Sequence, residues 1–375
     1  MKNGEVSLKT VCDFTKCAGC MLCVEVCPTN AITVQDHLSS YDAVIDDEKC
    51  INCNRCHQLC PQNNEPELTP PIRWTQGWAD EETRKSSSSG GYAAAIMRAF
   101  REQGGEVCSC TQEEGEFVFR FVQRVEDLFR FTGSKYIKSN PIGIYKQIRA
   151  KLREGKSVLF IGLPCQVTAL KRYVGKNDEE KLYTVDLICH GTPSPRLLDM
   201  FLRENKAKMD QKVSFRNKTA FQIWVGDKPV LPRTVLDRYS MAFLHGLCYT
   251  ENCYACQYAR VERVSDVTLG DSWGTDLPIE EQKKGISLAL IQTEKGQKLL
   301  NDAGVATLEV DHEKARKANH QLYEPSHKPN GARDKLFDMI QKGKSFSLAV
   351  YSVYTTACIR QNIKALYLNL MGKWK

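Results

Sequence analysis

No stretch of this sequence approaches the run of roughly 18 apolar residues that a membrane-crossing helix needs. Met1 to Thr10 lacks the apolar core of a secretory leader, so a cytoplasmic protein with reduced thiols is expected, and disulfides are not. There is no G-x-G-x-x-G, no G-x-x-x-x-G-K-[ST] and no H-E-x-x-H. A standard nicotinamide dinucleotide site, a P-loop and a zinc-protease helix are therefore not indicated. Histidine is scarce, with 7 in 375 residues, and only His57 and His190 stand in cysteine-rich surroundings. A lone histidine is more often a hydrogen-bonded core residue than a catalyst, and no side chain stands out as a general acid or base. No block of Lys and Arg interleaved with aromatics is present, which argues against a nucleic-acid partner. What remains is an ordinary globular composition, 42% apolar and 26% charged, in a chain long enough for two or three domains.

Cysteine departs from that ordinariness, with 17 residues. Two runs carry the excess: Cys17-x2-Cys20-x2-Cys23-x3-Cys27-Pro28, and 33 residues later Cys50-x2-Cys53-x2-Cys56-x3-Cys60-Pro61. Four thiolates this close cannot all pair as disulfides, and structural zinc uses two pairs of ligands rather than two sets of four. The spacing suits cubanes of iron and sulfide, in which the Cys before Pro ligates the other run's cluster. Cys17, Cys20, Cys23 and Cys60 are therefore expected to hold one [4Fe–4S] cluster, and Cys50, Cys53, Cys56 and Cys27 a second. The segment resembles a bacterial-type two-cluster ferredoxin. Clusters of this kind are oxygen-labile, which points to an anaerobic or low-oxygen setting. Residues 1–72 carry a net charge of −5 and the remainder +12, an acidic electron-transfer module on a basic body that can attract it or bind an anionic cofactor.

The rest of the chain reads as alternating strands and helices. Cys12 is either a spare ligand or a small buried residue. Ala31–Val34 and Ala43–Ile45 are short strands, and the prolines of 62–71 mark a linker. Ser86–Gly91 is a Ser/Gly loop feeding a helix from Tyr92 to Gln103, and a helix N-terminus offers free N–H groups to a phosphate. Strands follow at 106–110 and 116–122, with Cys108 and Cys110 as core thiols. Gly133-Ser134-Lys135-Tyr136 is a turn bearing a cation and an aromatic. A helix at 144–153 precedes a buried strand, Ser157 to Gly162, which runs into Leu163-Pro164-Cys165-Gln166 at a helix start. The unit repeats: strand Leu182 to Ile188 ends in Cys189-His190-Gly191, and Thr192 to Pro195 opens a helix. A Cys at such a junction is expected to have a lowered pKa. Ligands of parallel sheets bind at strand C-terminal ends, so Cys165 and Cys189 are expected to be neighbours. Cys253-x2-Cys256 supplies two more thiolates, enough for a third [4Fe–4S] cluster. Cys248 is the alternate ligand, and a mononuclear zinc on the same four is the competing reading. Strands at 286–291 and 305–310 flank a helix at 295–301. The tail from about 333 is an amphipathic, basic helical segment with Cys358 in packing.

Several of these pieces, in this order, resemble the beta subunit of coenzyme F420-reducing hydrogenase and formate dehydrogenase, with its relatives that reduce 7-hydroxymethyl chlorophyll a. They are Ser88-Ser89-Gly90-Gly91, Gly133-Ser134-Lys135-Tyr136, Gly162-Leu163-Pro164-Cys165-Gln166, Asp186-Leu187-Ile188-Cys189-His190-Gly191-Thr192-Pro193-Ser194, Cys253-Tyr254-Ala255-Cys256 and Ser265 to Gly274. The resemblance spans roughly 80–330. It implies an α+β protein: a two-[4Fe–4S] ferredoxin-like domain at 1–71, a mixed α/β catalytic domain binding FAD and a [4Fe–4S] cluster at 72–335, and a helical tail at 336–375. It makes Cys165, Cys189, Cys253 and Cys256 the preferred third ligand set. It places Ser88, Ser89, Gly90, Gly91, Gly133, Ser134, Lys135 and Tyr136 against FAD, with Gln166 and His190 as further cofactor contacts. The implied activity is an iron–sulfur flavoprotein oxidoreductase. It would pass electrons between clusters and FAD, to or from an organic substrate or reduced deazaflavin (coenzyme F420), with a ferredoxin or redox protein as partner. The alternative is a non-catalytic subunit relaying electrons to a partner enzyme.

Overall fold

The computed structural model describes residues 9–218 and 220–372. Among them no helix is long and apolar enough to cross a membrane. The chain begins with a small module whose two strands, β1 (Ile32–Asp36) and β2 (Tyr41–Ile45), pair antiparallel with Ile32 opposite Ile45. Each cysteine run winds into a five-residue helix, Leu22–Val26 and Arg55–Leu59. The 33-residue repeat is written into the backbone. Gly19 and Asn52 both lie at positive φ (59° and 54°), as do Met21 and Asn54 (61° and 60°). Non-glycine residues adopt this left-handed conformation at a cost. Its recurrence at equivalent positions shows that both loops wrap in the same way.

After the proline-rich segment the body opens with β3 (Arg73–Trp78), a strand the sequence reading did not contain. It joins β4 (Glu106–Glu113), β5 (Glu116–Phe121), β6 (Val158–Ile161) and β7 (Leu182–Leu187). A three-stranded antiparallel sheet interrupts, with β8 (Val213–Asn217), β9 (Ala220–Val225) and β10 (Lys228–Pro229). The large sheet then gains β11 (Val267–Asp271), β12 (Ser287–Ile291) and β13 (Ala306–Leu308). Its eight strands run in the order β13-β3-β12-β11-β7-β6-β4-β5. The four strands β4, β6, β7 and β11 are parallel, and β5, β12, β3 and β13 each pair antiparallel with the neighbour beside them. The parallel layer read from the sequence is thus the centre of a mixed sheet. β6 and β12 are wholly apolar or small and buried along their length, as strands covered on both faces must be.

One face is covered by the helices Tyr92–Glu102 and Glu294–Asp302, whose Tyr92, Ile96, Phe100, Leu299 and Leu300 pack on Val107, Leu159, Val185 and Val267. The other is covered by Ile144–Arg153 and Pro164–Val174, with Tyr145, Ile148, Val167 and Leu170 on Cys108, Phe119 and Phe160. Leu22 and Val26 of the small module join this second core. The tail is three helices, Ala332–Gln341, Phe346–Val353 and Thr355–Leu370. They pack around the small sheet, where Cys358 is buried against Met241. The last helix leaves Ile359, Ile363, Leu366, Tyr367 and Leu370 exposed.

The ferredoxin-like module is bound to the body through main-chain acceptors rather than through pairs of opposite charges. Arg172 donates to the carbonyls of Leu59, Cys60, Asn64 and Glu65 at 2.9–3.3 Å. Tyr145 Oη donates to Cys20 O, and Gln257 Nε2 to Pro61 O, both at 2.9 Å. In return the Glu25 carboxylate accepts from the amides of Gly143 and Lys146 at the start of a body helix, where the helix dipole favours an anion. Lys176–Glu67, at 3.3 Å, is the one ion pair between the two halves among the described residues. The opposite charges of the halves therefore do little of the holding. Arg172→Ala should remove four bonds from a charged donor and cost about 2 kcal/mol. A lowered midpoint in urea unfolding, read with iron content held constant, checks this.

Candidate functional site

Cys17, Cys20, Cys23 and Cys60 act electrostatically on one another, and Cys56 on Cys27 and Cys53. Cys12 packs with Cys17 and Cys60 in one buried cluster, and those neighbours push its thiol up. Cys17, Cys23 and Cys60 are buried, whereas Cys53 is exposed.

A second concentration of sulfur lies at the C-terminal edge of the parallel strands. Cys165 follows β6 by four residues at a helix start, and Cys189 follows β7 by two. The segment Glu251–Ala255 carries Cys253 beside Cys256. All four line one cavity, with Lys138, His190, Thr192 and Arg263. The neighbours expected from the two βα units are thus brought together, and Cys253 and Cys256 join them. Cys248 is instead fully buried in the core around Phe201 and Tyr239 and does not line the cavity. The lowered pKa expected for Cys165 is not found: burial pushes its thiol up, and Lys138 offsets this only in part. The effect of the helix start is outweighed because desolvation of the thiol is the larger contribution. Thr192 and Thr250 hydroxyls lie 3.9 and 3.4 Å from Cys253 Sγ. Arg263 is 1% exposed, and its Nε and Nη2 have no protein partner among the described residues. A buried guanidinium with free N–H groups beside four thiols is a place for a bound anion. Among the described residues no three His, Cys, Asp or Glu side chains are grouped as ligands of a single metal ion would be.

His190 also faces this cavity. The Gln321 amide nitrogen lies 2.8 Å from His190 Nδ1 and 2.7 Å from His320 Nε2, so it donates to both. Burial, with His320 nearby, pushes His190 down to about 4, and it is neutral at ordinary pH. Gln166 faces inward instead. Its Oε1 accepts from Leu163 N and its Nε2 donates to Ser139, which fixes the helix that carries Cys165.

The Ser/Gly loop and the Gly133 turn, 46 residues apart, meet directly: Ser134 N donates to Ser88 Oγ at 3.0 Å. Ser88, Gly133, Ser134 and Lys135 line a cleft of about 120 Å³ with Ser86, Ser87, Lys212 and Arg216, whereas Ser89 turns away and donates to Ile286 O at 2.9 Å, and Tyr136 does not line it. Gly90 and Gly91 lie behind it in the packing. A Cβ on Gly90 would come within 2.4 Å of Gly77 O, and Gly91 needs φ +93°. The start of the Tyr92 helix is closed off, with Tyr92 N facing Ser287 Oγ at 3.5 Å. Lys135 ties the turn together by donating to Phe131, Thr132 and Gly133 carbonyls. Tyr136 stacks on Phe243 at 4.4 Å. The cleft's strongest cation is one that sequence reasoning missed. Arg216 makes a bidentate pair with Asp271 at 2.6 and 2.7 Å, and also donates to Ser88 O and Tyr136 Oη. Burial works against its charge, and Asp271 holds it firmly protonated. Burial also pushes Lys135 down to about 8 and, aided by Arg84 and Arg216, Lys218 down to about 8.

A cysteine-rich dicluster module fixed to a mixed α/β body with a further sulfur-lined cavity defines an iron–sulfur redox protein. Residues 16–64 match the family model of the 4Fe-4S dicluster domain. Residues 155–315 match the family model described as the C terminus of the coenzyme F420 hydrogenase/dehydrogenase beta subunit. A chain of the F420-reducing [NiFe] hydrogenase complex from Methanosarcina barkeri, from a xenon-derivatised structure, is 18% identical. The similarity covers 71% of this chain and 99% of that one, with a TM-score of 0.46. No curated protein matches this chain.

Asp271→Asn should leave the Arg216 guanidinium buried without its counter-charge and destabilise the body by about 3 kcal/mol. The drop is measurable as a lowered thermal midpoint against Asp276→Asn, an exposed control.

Proposed function

We propose that this protein is an FAD-dependent oxidoreductase carrying three [4Fe–4S] clusters, and that it exchanges electrons between an organic substrate or deazaflavin and an external redox partner. The observation that carries this reading is the cavity where Cys165, Cys189, Cys253 and Cys256 meet beside the ferredoxin-like module. Four thiols, two hydroxyls near Cys253 and the unpartnered N–H groups of Arg263 suit a [4Fe–4S] cluster held by those four cysteines. In the module, Cys17, Cys20, Cys23 and Cys60 would hold one cluster, and Cys27, Cys50, Cys53 and Cys56 the other. The action of Cys165 on Cys20 supports the third site and the first being neighbours.

The cleft between the Ser/Gly loop and the Gly133 turn fits the charged part of FAD. It offers the Ser86–Ser88 and Ser134 groups, Lys212 and the pre-paired Arg216 to a pyrophosphate, and its enclosed volume suits a phosphoryl group rather than a whole dinucleotide. When bound, FAD supplies the exchange between two-electron substrates and one-electron clusters. The chain's own part is to hold the anion, to keep the thiolates away from water and to keep His190 neutral. The alternative, a relay subunit without flavin, draws support from the exposed Cys53 and from the interfacial fixing of the module.

Protein purified without oxygen should contain about 12 iron atoms per chain and one FAD. About 8 iron with no flavin would sink the reductase reading and leave the relay. Cys253→Ser should lower the count to about 8 and abolish electron flow between flavin and module while the module's own spectrum persists. Flavin affinity should also depend on pH. Lys135, which lines the cleft, loses its charge as pH rises through about 8, so an anion binds more weakly above that pH than below it. Fluorescence titration of the flavin-free protein at pH 6.5 and 9.5 reads the difference, and equal affinities would count against the cleft.

A further inference from the structure

Lys138 is 4% exposed and stands in an irregular segment between Tyr136 and Asn140. Its ammonium has one protein hydrogen bond among the described residues, to Ala18 O at 2.9 Å, and the Tyr41 ring covers it at 6.0 Å. No carboxylate pairs with it among the described residues. Burying a cation in this way is costly unless an anion compensates. Lys135, three residues earlier, shows the uncompensated outcome, with burial driving its pKa down. Lys138 stands instead among sulfur, lining the cavity of Cys165, Cys189 and Cys253 and hydrogen-bonded beside Cys17.

Those sulfurs belong to two different sites. Ala18 lies in the first cysteine run between Cys17 and Cys20, while Lys138 also lines the cavity of Cys165, Cys189, Cys253 and Cys256. Arg172 serves the module alone, through Cys60 O, and Arg263 faces the body's cavity. Lys138 is the cation common to both. We propose that Lys138 is a charge-tuning residue shared by the first ferredoxin-type cluster and the body's cluster, raising the reduction potential of both and offsetting their mutual repulsion when both are reduced. The proposal rests on the reading of the body's cavity as a cluster site. Its physical basis is that each reduction adds one negative charge to a site closed to water, where a fixed cation nearby acts with little screening. No bond forms or breaks, and the single electron added to either site comes from the external reductant.

The test is an EPR-monitored redox titration of anaerobically purified protein with Lys138→Gln, which keeps a donor, and Lys138→Met, which keeps the length. Iron content is measured alongside. Both variants should show the potentials of the first cluster and of the body's cluster shifted downward together. The cluster of Cys27, Cys50, Cys53 and Cys56 should stay in place as an internal control. Unchanged potentials with full iron would overturn the proposal, and so would loss of iron from the first site in both variants, which would make Lys138 a structural tie. If the unmodified protein holds only two clusters, the proposed function fails on that count. The shared role then falls with it, even if the first cluster's potential still shifts.

Discussion

Sulfur that is to ligate a cluster must be held as buried thiolate, which has to be compensated, and the placement of cations follows from that constraint. The first set and the body's cavity together bring eight cysteines into the interior, four of them buried and four half-buried, where unpaired negative charge is expensive. Lys138, Arg172 and Arg263 are spent on this compensation, and none of them makes an ion pair with a carboxylate among the described residues. The excess positive charge of the body is therefore no general coating. Part of it is directed at sulfur, and another part, Arg216 with Lys212 and Lys135, is directed at the cleft.

The same constraint explains how the halves are joined. Cations that meet carbonyls can approach the module without cancelling the charge that tunes its sulfurs. Arg172 on the Cys60 carbonyl and Lys138 on the Ala18 carbonyl both sit within one residue of a cysteine of the first set. An interface built of carboxylate pairs would have brought further negative charge to the same place.

The cysteine runs were legible in the sequence because a cubane needs a fixed local spacing, and the βα junctions at Cys165 and Cys189 because strand and helix patterns are local too. Their convergence with Cys253 and Cys256 was legible from chemistry: two thiolates needed two more. Lys138, Arg172, Arg216 and Arg263 were not, since a single cation leaves no periodic trace and its partner lies far along the chain. β3 and the small sheet were missed for a related reason. Arg73–Trp78 is a six-residue strand that owes its place to β12 and β13, more than 200 residues away. The Ser/Gly loop was read for the right place and for only part of its role. Ser86, Ser87 and Ser88 face the cleft, while Gly90 is there because nothing larger fits between Gly77 and Ser287, and Gly91 because its φ of +93° favours glycine.

Exposure is unequal between the two halves of the ferredoxin-like repeat. Cys17, Cys23 and Cys60 are buried, while Cys53 reaches the surface and Ile51 beside it is largely exposed. A repeat that is symmetric in sequence is thus asymmetric in its access to small molecules. Dissolved oxygen and chelators would meet the Cys53 side first, so damage in air would begin there and reach the buried sulfurs last.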